Sequence, residues 1–525
     1  MATTATTQIW FSNGMSYPWP EQPAVGTGIG VCFPGGGTRA LGAAMGQLRA
    51  LLAQGLIGKI DYMSCVSGGS WAATAFAYYQ PNTTSDDALL GSVIAPADIT
   101  REGLEAIDSE SLGWGATQSL DDALEAAHGA GVSADMLWIT AVGNVFFQRF
   151  GLWDPENPPY FTLNATSQNA IQSANPSLAK APFITVRQPG YTVPYLLINA
   201  TIDGPTSPGD YSDDQLVMVT YSPLYAGIPY QKTITYTEKT TKQQVTVTVG
   251  GGFVEPFAWG SQAPTAPPTT GNPGTVSVVL DDTPFTAADA SGTSSSAFAK
   301  TLESHKTFDV LLPEENYWPP VASGTQPSQQ LFDWGDGGNL ENYGLLPLLM
   351  RGVQRIILFV NTDVPLTGTA AGQLDPNLPL LFGPPATSPS TQSNVVFQQA
   401  DLQDLVTTLL AMKSNGQPMI YQKTHTIQEN AWWGIPTGGS VEILWVYLDM
   451  VGTWHDQLPK DSWVRLQLDL KGAGAFPNFP NYKTVDEDGL GTLTRLTPAQ
   501  VNLLADLTCW VVTANATTFA NFING

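Results

Sequence analysis

The stretch VGTGIGVCFPGGGTRALGAAMGQLRALLAQG, residues 25–55, decides how this chain is read, and IDYMSCVSGGSWAATAFAYY, residues 60–79, completes it. Val25 to Phe33 is apolar, β-branched and interrupted by glycine, which marks a buried strand. Beyond Pro34 and three glycines, Thr38 to Gln54 reads as a helix. Its Leu41, Met45, Leu48, Leu51 and Leu52 fall at i, i+4, i+7, i+10 and i+11, on one apolar face. Gly55 follows as a C-terminal stop. Ile60 to Val66 predicts a second strand and Ser70 to Tyr79 a second helix. This order of strand, loop, helix, strand, turn and helix predicts parallel strands joined by a right-handed crossover.

The chemistry lies in the connections. Ser67, at a strand end and followed by Gly68 and Gly69, sits where a nucleophile elbow lifts a hydroxyl clear of a sheet. The usual elbow is Gly-x-Ser-x-Gly, and here Cys65 takes the first glycine's place. Otherwise this is an ordinary strand–turn–helix serine. Gly35, Gly36 and Gly37 let backbone N–H groups converge at the positive end of a helix, where an oxyanion or a phosphate can sit. A phosphate loop needs Gly-x-x-x-x-Gly-Lys-Ser/Thr, and the lysine is missing. A dinucleotide fingerprint begun at Gly28 and Gly30 fails at Phe33. Arg39 lies in the first helical turn, where a cation opposes the dipole; it suits either a substrate phosphate contact or an ion pair that props the loop.

Gly335-Asp336-Gly337-Gly338 holds a carboxylate in a glycine turn, the commonest reading of which is a plain turn. Asp333 and Asp363 compete with it. A serine nucleophile needs a base, and the four histidines are His128, His305, His425 and His455. A Ser–Asp–His triad ending in His425 or His455 is formally possible. Only about two strands fit before Ser67, fewer than α/β-hydrolases place before their elbow. Asp336 is therefore the expected direct base, with a pKa raised by burial. The histidines are isolated and the cysteines scattered, so no metal and no cofactor is expected. Asp486-Glu487-Asp488-Gly489 lacks the spacing of a calcium loop and reads as a turn.

The chain has 525 residues, 43% of them hydrophobic and only 13% charged, about half the usual charged share. Its net charge of −24 repels nucleic acid and anionic lipid alike. Any contact with a lipid interface must then come from apolar insertion. Cys32, Cys65 and Cys509 are too few and too scattered for a disulfide framework. No signal peptide is visible, so a cytoplasmic location is expected, peripheral at membranes at most. No uncharged apolar run is long enough to span a membrane. Leu345 to Val360 comes nearest and is broken by Arg351 and Arg355. Sequons at Asn82 and Asn199 matter only in a secretory pathway. Trp432 and Trp433 read as core rather than interface.

Residues 1–20 read as an extended arm and 21–525 as one catalytic unit. Within it, 80–148 is polar with a helix near 121–130, and is expected to be an inserted lid or cap. Further strands are expected at 191–202, 355–362 and 441–448, a hairpin at 231–249 and a helix at 401–412. The Pro/Thr/Ser-rich stretch 262–296 is expected to be a surface loop. The fold class is α/β: a central mixed sheet with a parallel core flanked by helices.

Gly35-Gly36-Gly37-Thr38-Arg39, Ser67-Gly68-Gly69 and Asp336-Gly337-Gly338 together resemble the patatin-like phospholipase superfamily. The likeness is greatest to the branch of cytosolic phospholipase A2 and lysophospholipase (phospholipase B) catalytic domains. Pro194 to Thr201 and Val254 to Gly260 resemble further segments of phospholipase B. The resemblance implies a Ser67–Asp336 dyad and an acyl-serine intermediate. It also implies an oxyanion hole from Gly35, Gly36, Gly37 and Gly68, and a required role for Arg39. The implied activity is hydrolysis of phospholipid or lysophospholipid esters. An acyltransferase using the same acyl-enzyme and an inactive lipid-binding protein are the alternatives.

Overall fold

The computed structural model describes residues 3–12, 17, 19–80, 85–187, 193–207, 211, 215–297, 299, 311–320, 328–485 and 493–525. His305, the Asn82 sequon, the start of the strand expected at 191–202 and the turn at 486–489 lie outside the described residues. The strands are β1 (Thr4–Phe11), β2 (Ile29–Phe33), β3 (Tyr62–Val66), β4 (Tyr160–Thr162), β5 (Phe183–Thr185), β6 (Tyr195–Pro205), β7 (Val217–Tyr221), β8 (Ala226–Ile228) and β9 (Lys232–Thr237). They continue with β10 (Gln244–Val249), β11 (Gly252–Val254), β12 (Gly274–Val279), β13 (Glu314–Tyr317), β14 (Gln330–Asp336), β15 (Arg355–Val360), β16 (Met419–Thr426) and β17 (Ser440–Tyr447).

Thirteen of these form one sheet in the order β12-β1-β11-β8-β7-β6-β3-β2-β15-β17-β16, with β14 and β13 added beside β6. Its centre, β6-β3-β2-β15-β17, is parallel, while both flanks are antiparallel. This is the expected mixed sheet with a parallel core. β2 and β3 are buried along their whole length, as strands covered on both faces are. The crossover helix α1 (Gly37–Ala53) is buried from Gly37 to Leu51. It packs against the Pro498–Thr513 helix so closely that a Cβ at Gly46 would lie 2.0 Å from the Ala505 carbonyl oxygen. A buried Arg49–Asp506 ion pair of 2.7 Å fixes that contact. The elbow helix α2 (Gly68–Tyr78) is wholly buried.

Three expectations are corrected. Residues 1–20 are not merely an arm, because β1 pairs with β11 and β12 inside the sheet. Its Ala5, Thr7, Ile9 and Phe11 alternate inward, the period of a half-buried strand. The stretch 262–296 is a surface loop only as far as 273. It contains β12 and an eight-residue helix, Ala287–Ser294, buried at every position. Small residues gave it the composition of a loop; here they let a helix fit between α2 and the sheet. The stretch 80–148 is only partly peripheral. Leu137–Val142 and the π-turn after it are core: Phe146 stacks on Trp71 at 4.1 Å, and Trp138 Nε1 donates to the Gly292 carbonyl at 3.0 Å.

The hairpin expected at 231–249 forms as β9 and β10, and the helix at 401–412 as Gln399–Ser414. Leu345 to Val360 is a short helix followed by β15. Among the described residues no single helix is long and apolar enough to cross a membrane. Pro498–Thr513 and Ala516–Asn524 reach that length and character only as a pair bent by 62°.

One lane of the sheet positions the candidate residues Ser67 and Asp336. β3 runs beside the first half of β6 and ends with Val66 opposite Asn199. β14 enters the same lane from the other direction and ends with Asp336 opposite Ala200. The two strand ends therefore meet head-on, and Ser67 and Asp336 emerge at neighbouring positions.

Candidate active site

Ser67 is held at φ 49°, ψ −128°, a backbone conformation that a side-chain-bearing residue rarely adopts. Such strain persists only where the surroundings over-determine it. Here they do: the Ser67 N–H donates to Ser294 Oγ at 2.9 Å, and Ser294 Oγ donates to the Asn199 carbonyl at 2.6 Å. Ser70 Oγ donates to the Ser67 carbonyl at 2.6 Å. Gly68 must be glycine, since a Cβ there would sit 2.1 Å from the Gly37 carbonyl oxygen. That contact also joins the elbow to the glycine loop. On the other side, a Cβ on Gly35 would lie 3.0 Å from the Ser67 Cβ.

Ser67 Oγ donates to Asp336 Oδ2 at 3.0 Å, while Asp336 Oδ1 accepts from the Gly338 N–H at 2.7 Å. Thr201 Oγ1 holds the Asp336 carbonyl at 3.1 Å. Ser67 is 4% exposed and Asp336 3%. Burial pushes the Asp336 carboxyl up to about 7, against the opposing pull of hydrogen bonds from Gly338, Ser67 and Ala297. A carboxylate poised near neutrality against a hydroxyl is able to take that hydroxyl's proton.

The glycine loop divides the four expected oxyanion donors. The Gly35 N–H is committed to the Asn342 carbonyl at 3.0 Å, so Gly35 is removed from the set. Gly36 and Gly37 take left-handed φ values of 131° and 56°, open only to glycine at low cost, and form the entry to α1. Gly37 and Gly68 each begin a helix, where the first amides have no partner within the helix. Gly36, Gly37 and Gly68 thus remain as candidate donors.

Arg39 is 4% exposed. Its Nε donates to the Asn361 carbonyl at 2.9 Å, and its Nη1 to the Tyr482 carbonyl at 2.5 Å and to Thr484 Oγ1 at 2.8 Å. Its Nη2 lies where a Cβ on Gly36 would be 2.3 Å away. The guanidinium ties the back of the glycine loop to the end of β15 and to residues 482–484. Of the two readings of Arg39, a substrate phosphate contact or an ion pair that props the loop, the propping holds, but through neutral oxygens in place of an ion pair. Burial lowers the Arg39 pKa, and the fields of Asp363 and Asp375 partly offset that.

His425 and His455, the two histidines that could have ended a triad, do not join this arrangement. His425 is in β16, on the far edge of the sheet. Its Nδ1 meets Asp401 Oδ2 at 3.0 Å, and its Nε2 accepts from Trp445 Nε1 at 3.0 Å. Both ring nitrogens are engaged. His455 Nε2 lies 3.1 Å from Asp469 Oδ1. Cys32, Cys65 and Cys509 are free thiols in the core. Among the described residues no group of three or more His, Cys, Asp or Glu is arranged to hold a metal ion.

Sequence reasoning missed Ser294, Asn199 and Asn342. Ser294 had a usable signal: Thr286 and Asp289 form a capping box that starts its helix, three residues apart as such boxes require. Asn342 acts through its carbonyl, which no side-chain motif reveals.

No protein-family model matches the chain, and no curated protein matches it. Among solved structures it is similar to human GIVD cytosolic phospholipase A2, with a TM-score of 0.43 at 14% identity, over 95% of this chain and 60% of that one. The same human protein in complex with methyl gamma-linolenyl fluorophosphonate gives 0.40 at 13% identity, over 95% and 59%. With that inhibitor and terbium chloride it gives 0.36 at 14%, over 95% and 59%. The chain spans about 60% of the length of these chains.

Proposed function

We propose that this chain is a serine acyl hydrolase that cleaves fatty-acyl esters of phospholipids or lysophospholipids through a Ser67–Asp336 dyad. One observation carries the reading: the 3.0 Å hydrogen bond from Ser67 Oγ to a buried carboxylate, at a strained elbow in contact with a glycine loop. Ser67 Oγ attacks the ester carbonyl carbon as Asp336 Oδ2 takes its proton. The oxyanion forms toward the amides of Gly36, Gly37 and Gly68. The carbonyl re-forms, the C–O bond to the alcohol breaks, and Asp336 returns the proton to the departing alkoxide. Asp336 then deprotonates a water that attacks the acyl-serine. The fatty acid leaves, and Ser67 recovers its proton.

Arg39 serves as a support in this reading, holding the loop from behind through three hydrogen bonds to protein oxygens. The lipid substrate is drawn from the motif resemblance, and the −24 charge favours dispersed or zwitterionic lipid over an anionic bilayer.

Fluorophosphonate labelling of wild type, Ser67→Ala, Asp336→Asn and a His425→Ala/His455→Ala variant tests the reading, with fatty-acid release from lysophosphatidylcholine followed in parallel. Labelling and release are expected in wild type and the histidine variant and lost in the other two. Acyl transfer to an added alcohol in place of fatty-acid release identifies an acyltransferase. Folded wild type that resists labelling identifies a binding protein.

A further inference from the structure

A second feature lies on the same edge of the sheet. β3, β2, β15 and β17 are parallel, so their carboxyl ends share one edge. Ser67 follows β3; three strand spacings away, about 14 Å, the chain leaving β17 opens into a cleft of about 480 Å³. Met450, Phe476 and Phe479 give it apolar walls, and His455, Asp469 and Lys471 supply polar ones. Beside it stands the Trp463–Asp469 helix. Val464 anchors this helix in a satellite core with Trp454, Phe476 and Leu503. Trp463 meets the Phe476 ring at 5.6 Å and lies under Arg101. Its outward face instead presents Leu466 and Leu470, one helical turn apart and 53% and 54% exposed. Leu470 is the most exposed of the large hydrophobic side chains among the described residues.

We propose that this helix and cleft form a docking face for a zwitterionic phospholipid surface. Leu466 and Leu470 enter the interface, and the cleft takes a phosphocholine-type head group. The inference rests on the reading of a lipid ester as the substrate. Charge decides the kind of surface. A chain of net charge −24 is repelled by an anionic bilayer, so attachment falls to apolar insertion and to a head group without net charge. The cleft has both signs for such a head group, Lys471 for the phosphate and Asp469 for the ammonium. Because the face shares its edge with Ser67, docking would bring the lipid to the side on which the nucleophile emerges.

The test is co-sedimentation of the full chain with sucrose-loaded vesicles, either of phosphatidylcholine alone or with about a third replaced by phosphatidylglycerol. Wild type is expected to bind phosphatidylcholine vesicles and to bind the doped ones less. Leu466→Asp/Leu470→Asp is expected to lower the partition coefficient about tenfold or more, and Lys471→Glu roughly threefold, both at an unchanged Tm. Should the double variant fail to fold, Leu466→Ser and Leu470→Ser singly take its place. The proposal is overturned by wild type that ignores phosphatidylcholine or prefers the doped vesicles. Folded leucine variants that bind as wild type does also overturn it. So does light scattering that finds a wild-type dimer and a monomeric leucine variant, which would assign the face to a second copy of the chain. Fluorophosphonate labelling of wild type separates the two readings: labelled protein that ignores vesicles loses only the docking face, and vesicle-bound protein that resists labelling loses only the hydrolase.

Discussion

Asp336 and Asp401 each hold one potential partner of a proton-transfer reaction, and their settings point them to opposite uses. Asp336 is buried, faces the Ser67 hydroxyl, and has its carboxyl pushed up to about 7 by burial. Burial also raises Asp401, but less than hydrogen bonds from His425 and Lys423 lower it, so that carboxylate stays firmly ionised. Its partner His425 has no free nitrogen, because Trp445 Nε1 occupies the second one. Burial lowers the His425 pKa against the pull of Asp401, which keeps the ring a neutral cross-link between a helix and β16. A carboxylate beside a histidine is thus no guide to catalysis by itself; what counts is whether the base keeps a lone pair facing a nucleophile.

The largest effect expected from this contrast comes from the first pair. Ser67→Ala and Asp336→Asn should each lower ester hydrolysis at least ~10³-fold with the fold retained, read as fatty-acid release per folded molecule. Asp336→Asn with more than a tenth of wild-type activity would break the comparison.

The Ser294 contact sharpens it. Ser294→Ala leaves the buried Ser67 N–H without its acceptor, at about 1–3 kcal/mol, and frees the elbow to leave its strained conformation. The expected outcome is kcat down roughly tenfold with KM little changed, and recovery in Ser294→Thr, which keeps the hydroxyl. A Tm loss with kcat intact would make Ser294 a core residue only.

The pH dependence tests Asp336 from another side. Only its ionised form accepts a proton, so kcat/KM should climb with pH and level off above about 7. Stability should move the other way. A carboxyl with a folded pKa of about 7 and an unfolded value of about 3.9 holds more protons folded than unfolded between those limits. Its contribution is therefore present at low pH and lost as pH rises from about 4 to about 7. Asp336→Asn lacks this loss, so its stability relative to wild type should improve between pH 5 and pH 8, by a few kcal/mol at most, on the order of 1.4 kcal/mol per pKa unit. Equal pH dependence in both proteins would assign the effect to Glu255, Glu341 and Asp289, which burial pushes to about 7, 7 and 6.

The smallest catalytic effect belongs to the second pair. His425→Ala should cost about 2–4 kcal/mol of stability and leave the labelling rate of folded molecules within twofold of wild type. Slow labelling of a folded variant would bring back the triad.

Local sequence determined the parts. Residues 25–79 have unbroken strand and helix periodicity with glycines at each turn, and every element expected there forms within a few residues of its predicted ends. Such signals are local: apolar spacing fixes a buried face, and glycine alone tolerates the left-handed turns at Gly36 and Gly37. The sheet as a whole was less legible. β1 pairs with strands more than 240 residues away, and its threonine-rich alternation carries little hydrophobic contrast. The helix Ala287–Ser294 was hidden because its burial depends on small residues, whose composition is also that of a loop.

What only the tertiary structure decided is which parts meet. Asp333 and Asp363 compete with Asp336 in sequence, and only the glycine turn and the motif resemblance favour Asp336 there. Asp336 faces Ser67 because β14 ends in the lane that β3 vacates, one register position on along β6. Four glycines could have offered amides, and pairing of Gly35 with Asn342, some 300 residues away, removes one of them. Arg39 could have pointed at a substrate, and the carbonyls of Asn361 and Tyr482 turn it inward. These choices rest on contacts between distant segments, whose geometry is set by packing and strand register rather than by the residues beside each motif.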